Sequence, residues 1–465
     1  MQLLKLPYFS PSDYEFRQNL LDLYEIVLVP IYWVILTKIS IRFLQKRNEQ
    51  EIKLAKRALH LKFIGAIIAT LLYNVYYVGG DTNAFFNDGR LLNSLFFKDP
   101  VTAVRMFWAS GNADSWPDNL LPVIEDFRFA IPANTWLVCK FSAFIQFFTF
   151  RSMLITAMVF GNLSFFCLWI FYKRINEIFP DIKKYSPWAI LYIPSMIVWG
   201  SGIFKDTICI SALAALFVAI HQVWFRRKKI IKWSIIGIIS AYLLGTIKSY
   251  ILMSFGLSIS IWLFFSLAEK FKNIALQFIA KLLITGVLAV LMLIVINKIG
   301  KDLIENEINS LLSSSALKGQ YLKYVSDKNE GSGYDIGTLD PSISGFVKKI
   351  PAALNVTLFR PYLWESKKVI SLFSAIESSA VLLLFLFVLW KTKVVRFVTA
   401  IVQDSFLAFC FVFVVIFGTF VGISSFNFGA LVRYKIPAMP FFLLMLFIIL
   451  QKQKAKKLPL SEPAQ

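Results

Sequence analysis

Long apolar runs separated by short polar stretches dominate the pattern along this chain. A membrane-spanning helix needs roughly 20 mainly apolar residues, because in lipid every backbone polar group has to be satisfied within the segment itself. That criterion predicts helices over 24–41, 62–79, 152–172, 186–200, 205–225, 231–248, 250–268, 276–297, 370–390, 398–422 and 437–451. The expected fold is therefore all-α and polytopic, with about 11 spans in one membrane domain over 1–457 and a short cytoplasmic tail at 458–465. The pair 186–200 and 205–225, joined by WGSGIFKD, reads equally as a broken or re-entrant element.

Composition agrees with that class. Of 465 residues, 57% are hydrophobic, 16% aromatic and only 17% charged, a mixture too apolar for a soluble fold of this length. The formal charge of +21 would suggest a nucleic-acid partner in a soluble protein. Six polar stretches, 42–62, 173–184, 226–232, 269–281, 391–396 and 452–457, carry 26 Lys or Arg against 5 acids, which accounts for the whole excess. Charge so placed follows the positive-inside rule for cytoplasmic loops, and no nucleic acid is needed to explain it. The N-terminal MQLLKLPYFSPSDYEF has acids and prolines before any apolar run, unlike a cleaved signal peptide.

Cys139, Cys167, Cys209 and Cys410 lie in apolar surroundings without CxxC spacing and read as unpaired packing residues. His60 and His221 stand near basic residues, where interfacial solvation explains them, so no histidine-built metal site and no cofactor is expected.

With the basic stretches on the cytoplasmic side, two long segments fall on the outer face, 79–151 and 298–368. Lengths of this kind rarely stay bare loops, and chemistry would sit there. The first opens with GGDTNAFFNDG and ends with NTWLVCKFSAFIQFFTF, read as an amphipathic helix along the interface; the second carries a polar, glycine-bearing stretch and then IPAALNVTLFRPYLWE.

Ionisable residues at membrane depth are expensive and point to function. Asp81 follows two glycines that let the chain turn at the end of the second span, which places a carboxylate at the outer boundary. Partly desolvated by nearby aromatics, it would suit a general base that takes a proton from a sugar hydroxyl; alternatively it caps the segment DTNAFF. Asp88 is a second acid of the same kind or a solvated side chain. In WGSGIFKDT, Lys205 is placed to meet a lipid phosphate, with Asp206 orienting it or capping the next helix; a plain outer hairpin with a snorkelling lysine is the alternative. Lys248 in GTIKSY occupies the next outer hairpin, and Arg360, Arg433 and Lys435 lie at the outer ends of later spans. Cations from distant parts of the sequence at one depth predict an electropositive cavity for a lipid-linked phosphate or diphosphate. Independent snorkelling of each to lipid headgroups is the competing account.

The GGD at the start of the first large outer segment, the helical stretches after it and the span number together resemble the GT-C glycosyltransferases and the related membrane polymerases of surface polysaccharides. The resemblance implies a polyprenyl phosphate or diphosphate sugar as donor, a glycan or lipid-linked acceptor, and a first-loop acid as base, which Asp81 matches. It implies a bacterial inner-membrane enzyme acting on the periplasmic side. The chain departs from that pattern in having Thr82 where many members have a second acid, and in having one apparent span too many before Asp81. No DxD pair stands on the outer segments, which fits metal-independent transfer, with basic residues stabilising the departing phosphate. An O-antigen-type repeat-unit polymerase, a flippase of lipid-linked saccharides and a scaffold of an envelope assembly are the alternatives; a flippase should show internal symmetry between its halves, and none is visible.

Overall fold

The computed structural model describes residues 21–273 and 343–455, apart from gaps at 45–47, 78, 110–119, 125, 132, 367–368 and 426, together with single positions between 275 and 286 and at 333, 334 and 336. The expected span 276–297, most of the second outer segment, the N-terminal MQLLKLPYFSPSDYEF and the tail 458–465 lie largely or wholly outside the described residues. Helices follow one another as α1 (Glu25–Arg42), α2 (Glu49–Leu71), α3 (Asp81–Lys98), α4 (Pro100–Trp108), α5 (Leu121–Ile124), α6 (Ala133–Gln146), α7 (Met153–Ile178), α8 (Ser186–Ile190), α9 (Pro194–Val198), α10 (Lys205–His221), α11 (Ile230–Ala268), α12 (Ile343–Phe359), α13 (Val369–Thr392), α14 (Val394–Gln403), α15 (Ser405–Ser425), α16 (Phe428–Tyr434) and α17 (Met439–Ala455). Among the described residues there is no strand, only an isolated bridge between Gly333 and Asn427.

Six helices are long and apolar enough to cross a membrane: Glu49–Tyr76, Met153–Ile178, Lys205–Arg226, Ile230–Ala268, Ser371–Thr392 and Ser405–Ser425. A seventh crossing results if α16 and the helix after it, bent by 65°, are one broken span. The protein is a multi-pass α-helical membrane protein. The expected spans 231–248 and 250–268 are two arms of α11, helical on both sides of Lys248, whose backbone (φ −148°, ψ 79°) alone leaves the helical region. The expected span 186–200 is broken into the short α8 and α9, with Pro194 opening the second. Span 398–422 starts later than its apolar run suggests, since Asp404 ends α14 and caps α15 by accepting the N–H groups of Phe406 (2.9 Å) and Leu407 (3.0 Å).

The chain divides into two compact units, one of 1–175 with 190–249 and one of 176–189 with 250–465. In the first, α3 and α6 pack along each other. Gly89 fits against the Ser142 side chain, Gln146 donates to the Phe86 carbonyl (3.1 Å) and Asn93 to the Ala143 carbonyl (3.1 Å). The unusual feature of α3 is that Thr82, Asn83, Asn87, Asp88, Arg90 and Asn93 are all buried, so a polar helix is enclosed and its side chains bond inside the protein. The expected interfacial stretch 134–150 is largely α6, buried against α3, with Phe144 and Phe148 left exposed. Ser152 caps α7 by accepting the Ile155 N–H (3.1 Å), and the buried Glu25 of α1 receives both the Ser152 hydroxyl and the Leu154 N–H.

In the second unit the phenylalanine-rich runs become a ring lattice. Phe409, Phe413 and Phe417 stack at i, i+4 spacing along α15, and Phe255 and Phe441 meet them edge-on. Here α12 approaches α15 closely enough that a Cβ on Gly422 would lie 2.3 Å from the Ala353 carbonyl oxygen, and Thr357 donates to the Gly418 carbonyl (2.7 Å).

Among the described glycines of the first unit the tightest site is Gly65 of α2, where a Cβ would stand 1.8 Å from the Ile197 carbonyl oxygen of α9. Gly65→Ala is expected to lower stability by about 1–3 kcal/mol, the usual range for overpacking. Gly256→Ala, at a helical site with nothing within 4 Å, should instead stabilise by roughly 0.5–1 kcal/mol. Thermal unfolding of the purified protein in detergent reads both, and equal behaviour of the two variants would refute the packing described.

Candidate functional site

The corner that carries Asp81 is built by the two glycines before it. Gly79 (φ +134°) and Gly80 (φ +122°) both occupy backbone conformations that residues with side chains rarely adopt, and a Cβ on Gly80 would meet the Tyr73 ring at 2.8 Å. Between α2 and this corner the helix widens into a π-helical turn, Leu72–Tyr76. Asp81 is the first residue of α3, where the helix dipole favours a negative charge. Its carboxylate is exposed and makes no hydrogen bond or ion pair among the described residues. The expectation of partial desolvation by nearby aromatics therefore gives way to a solvent-facing acid, one residue after the Gly80 that lies against the Tyr73 ring.

The WGSGIFKD turn lies next to this corner. Thr82 Oγ1 donates to the Ile203 carbonyl (3.4 Å), while the Tyr73 ring packs on Trp199 and Phe204 with centroids 6.3 and 5.5 Å away. Lys205, at the start of α10, donates to Asn134 Oδ1 at the start of α6 (3.1 Å). Asp206 is buried and paired with Lys248 at 2.5 Å, so the one non-helical residue of α11 is where its lysine reaches α10. Lys248 is thus an internal counter-ion in a helix break rather than the tip of a hairpin.

One cation absent from the sequence-derived set holds this turn. Lys62 falls in the middle of α2, not in a basic loop; its ammonium is buried and donates to the carbonyls of Met196 and Gly200, both at 2.8 Å. Its signal in the sequence is a single lysine flanked by apolar residues on both sides, in LHLKFIGAII.

Asp88 is held in another way. Fully buried, it accepts the backbone N–H groups of Arg128 (3.2 Å) and Phe129 (2.7 Å) and faces the Cys139 thiol, so it anchors the loop between α5 and α6. Burial pushes its carboxyl up to about 6, against the pull of those two N–H groups.

Three of the expected phosphate contacts belong to the second unit. Arg360 follows α12 and pairs with Glu365, its Nε lying 2.9 and 3.0 Å from the two carboxylate oxygens and its Nη2 also bonded to Oε1. Lys435 is fully buried and donates to Ser378 Oγ (2.8 Å), and that hydroxyl donates to the Arg360 carbonyl (3.1 Å). Arg433 sits half-buried at the end of α16. The structure therefore brings Asp81, Lys205, Asp206 and Lys248 into one neighbourhood within the first unit, and Arg360 and Lys435 into another within the second. Sequence reasoning missed Lys62, Asn134, Ser378 and Glu365.

The four cysteines are free, with Cys139, Cys209 and Cys410 buried. His221 is buried against Phe225 (ring centroids 5.2 Å apart) rather than solvated, and His60 lies 3.4 Å from Thr37 Oγ1. Among the described residues no group of three or more His, Cys, Asp or Glu side chains is arranged to hold a metal ion. No protein-family model, curated protein or solved structure matches this chain.

Asp88 generates a pH dependence. Its carboxyl titrates near 6 in the folded chain and near the ordinary 3.8 when unfolded, so the folded state binds a proton first. The resulting stability is fully present below about 3.8 and is lost as pH rises through about 6. Between pH 5 and pH 7.5 the wild type should lose about 1 kcal/mol from this group, and Asp88→Asn should flatten that part of the profile. Parallel pH-dependent profiles for the two proteins would show that Asp88 is not the group responsible.

Proposed function

We propose that this protein is a membrane glycosyltransferase of GT-C type that uses a polyprenyl phosphate- or diphosphate-linked sugar, working on the periplasmic side of a bacterial inner membrane in building a surface glycan. The acceptor is a glycan or a lipid-linked saccharide. Eleven crossings belong to this reading; the six helical crossings become eleven when α1, the broken α8–α9 element, the second arm of α11, the stretch 276–297 and the bent pair of α16 and α17 are each counted.

The observation that carries the reading is the exposed Asp81 carboxylate, set at a helix start by two positive-φ glycines, with its neighbour Thr82 bonded to the turn that ends in Lys205. A base for a sugar hydroxyl has to be reachable from solvent, and the exposed Asp81 carboxylate meets that requirement. As the acceptor oxygen attacks the anomeric carbon, its proton passes to Asp81. The bond from that carbon to the phosphate oxygen breaks, and the phosphate leaves with the electron pair. In the first unit Lys205 and Lys248 supply positive charge near Asp81 for the departing phosphate, and in the second unit Arg360, Arg433 and Lys435 are assigned as phosphate contacts in their own right. Asp206 serves this site by fixing Lys248, and Asp88 by fixing the loop over α3.

Asp81→Asn keeps size and hydrogen bonding yet cannot accept the proton, so transfer from a polyprenyl-linked sugar should fall about 10²- to 10⁴-fold with donor binding retained. Asp88→Asn is the comparison variant; because it removes one of the two oxygens that hold the Arg128 and Phe129 N–H groups, any activity it loses should track its loss of stability. Asp206→Asn is a poor control, because it strands the buried Lys248 ammonium. Turnover is measured with the purified protein in nanodiscs. Near-normal turnover of Asp81→Asn would remove Asp81 as the base, and if Asp88→Asn were then inactive while folding as stably as the wild type, the base would be Asp88.

A further inference from the structure

The Arg360–Glu365 pair is local in sequence, only five residues apart, yet it is arranged as an anion cradle. The Glu365 carboxylate is held by the Nε and Nη2 of Arg360 and by the Tyr362 backbone N–H at 2.8 Å. A carboxylate in a guanidinium fork takes the bidentate geometry that a phosphate also takes. The guanidinium does not depend on Glu365 for its place. The rings of Phe428, Tyr334 and Tyr362 surround it, with centroids 5.3, 5.6 and 6.0 Å from its carbon. Both partners of the ion pair remain 18% exposed, so an incoming anion can reach the fork. Beside it the Trp364 ring, 81% exposed, stacks on Tyr362 at 4.8 Å and offers an aromatic face next to the charge.

We propose that Glu365 is an internal stand-in anion, and that a phosphate carried on a lipid binds Arg360 by displacing it. This rests on the assignment of Arg360 as a phosphate contact. The segment that moves is short: Glu365 closes a single 3₁₀ turn, Leu363–Glu365, while Arg360 stays fixed by the rings and, through its carbonyl, by Ser378. A competing internal ligand lowers apparent affinity by the fraction of time the site is closed, and a partly exposed ion pair closes it only modestly. Glu365 thereby keeps the cation paired when no substrate is present, in a setting where an unpaired charge is costly.

The test is binding to the full chain in phosphatidylcholine nanodiscs, with three probes titrated separately: a polyprenyl phosphate, phosphatidylglycerol and inorganic phosphate. Glu365→Gln removes the competing charge at constant size and should tighten binding about threefold to tenfold. Arg360→Gln should weaken binding, and adding Glu365→Gln to it should restore nothing. If Glu365→Gln does not yield a monodisperse protein, Glu365→Asp reads the same exchange, since its shorter side chain keeps the charge but loosens the fork. Tightening for the polyprenyl phosphate alone supports exchange with a lipid-linked substrate phosphate; tightening for phosphatidylglycerol as well supports exchange with phospholipid headgroups generally. Tightening for inorganic phosphate alone overturns the lipid-borne ligand. Unchanged or weaker binding of every probe, or a gain that persists without Arg360, overturns the exchange itself. The exchange and the transferase reading fail separately: loss of turnover in Asp81→Asn with no gain in Glu365→Gln spares the latter, and the reverse pair of results spares the former.

Discussion

The interaction on which the first unit depends is the buried Lys62 ammonium and the two carbonyls it satisfies. A chain that stops being helical among apolar surroundings leaves backbone carbonyls without partners, at a cost of several kcal/mol each if they meet lipid. The break after α9 creates that situation at Met196 and Gly200, and one lysine from α2 answers both. With those carbonyls satisfied, the chain can turn through Gly200, Ser201 and Gly202 and start α10 with Lys205 and Asp206 in place. The approach of α2 through Gly65 brings the ammonium within reach, so small-residue packing and charge act as one device.

Around that turn the same logic recurs with other partners. Asp206 and Lys248 satisfy each other across α10 and the break in α11, and Asp88 satisfies two loop N–H groups. In the second unit Lys435, Ser378 and the Arg360 carbonyl form a chain of donors and acceptors. Asp81 stands apart from these. Where Asp88 and Asp206 are committed to structural partners, it faces solvent at a helix start.

Much of the helical architecture was legible in the sequence, because roughly 20-residue apolar runs leave little freedom in lipid. The GGD corner was legible too, since two adjacent glycines at the end of an apolar run mark a backbone that needs positive φ. The pairing of charges was not. Lys62 read as part of a basic loop because residues 42–57 before it are rich in Lys and Arg, whereas the helix starts at Glu49 and carries it inward. Lys248 read as a hairpin tip because a span-length criterion divides a 39-residue apolar helix into two, and only the structure shows a single-residue break. Asp404 ended one helix and capped the next inside an apolar stretch that sequence treats as continuous. Glu365 escaped notice because a carboxylate five residues from an arginine is unremarkable until both fold onto one turn.

Hydrogen exchange over residues 196–206 tests the central claim most directly, measured on folded, monodisperse wild-type, Lys62→Arg and Lys62→Met proteins in nanodiscs. The Trp199 and Phe204 amides donate within this turn, to Ser195 (2.9 Å) and Gly202 (2.9 Å), and report on its integrity. Leaving two buried carbonyls unsatisfied costs about 1–3 kcal/mol each, so Lys62→Met should speed exchange there tenfold or more, by roughly the factor that energy implies. Lys62→Arg, which keeps the donors, should fall between the two. Exchange at 196–206 that is unchanged in Lys62→Met would contradict the account, because the turn would then hold its shape without the cation assigned to hold it.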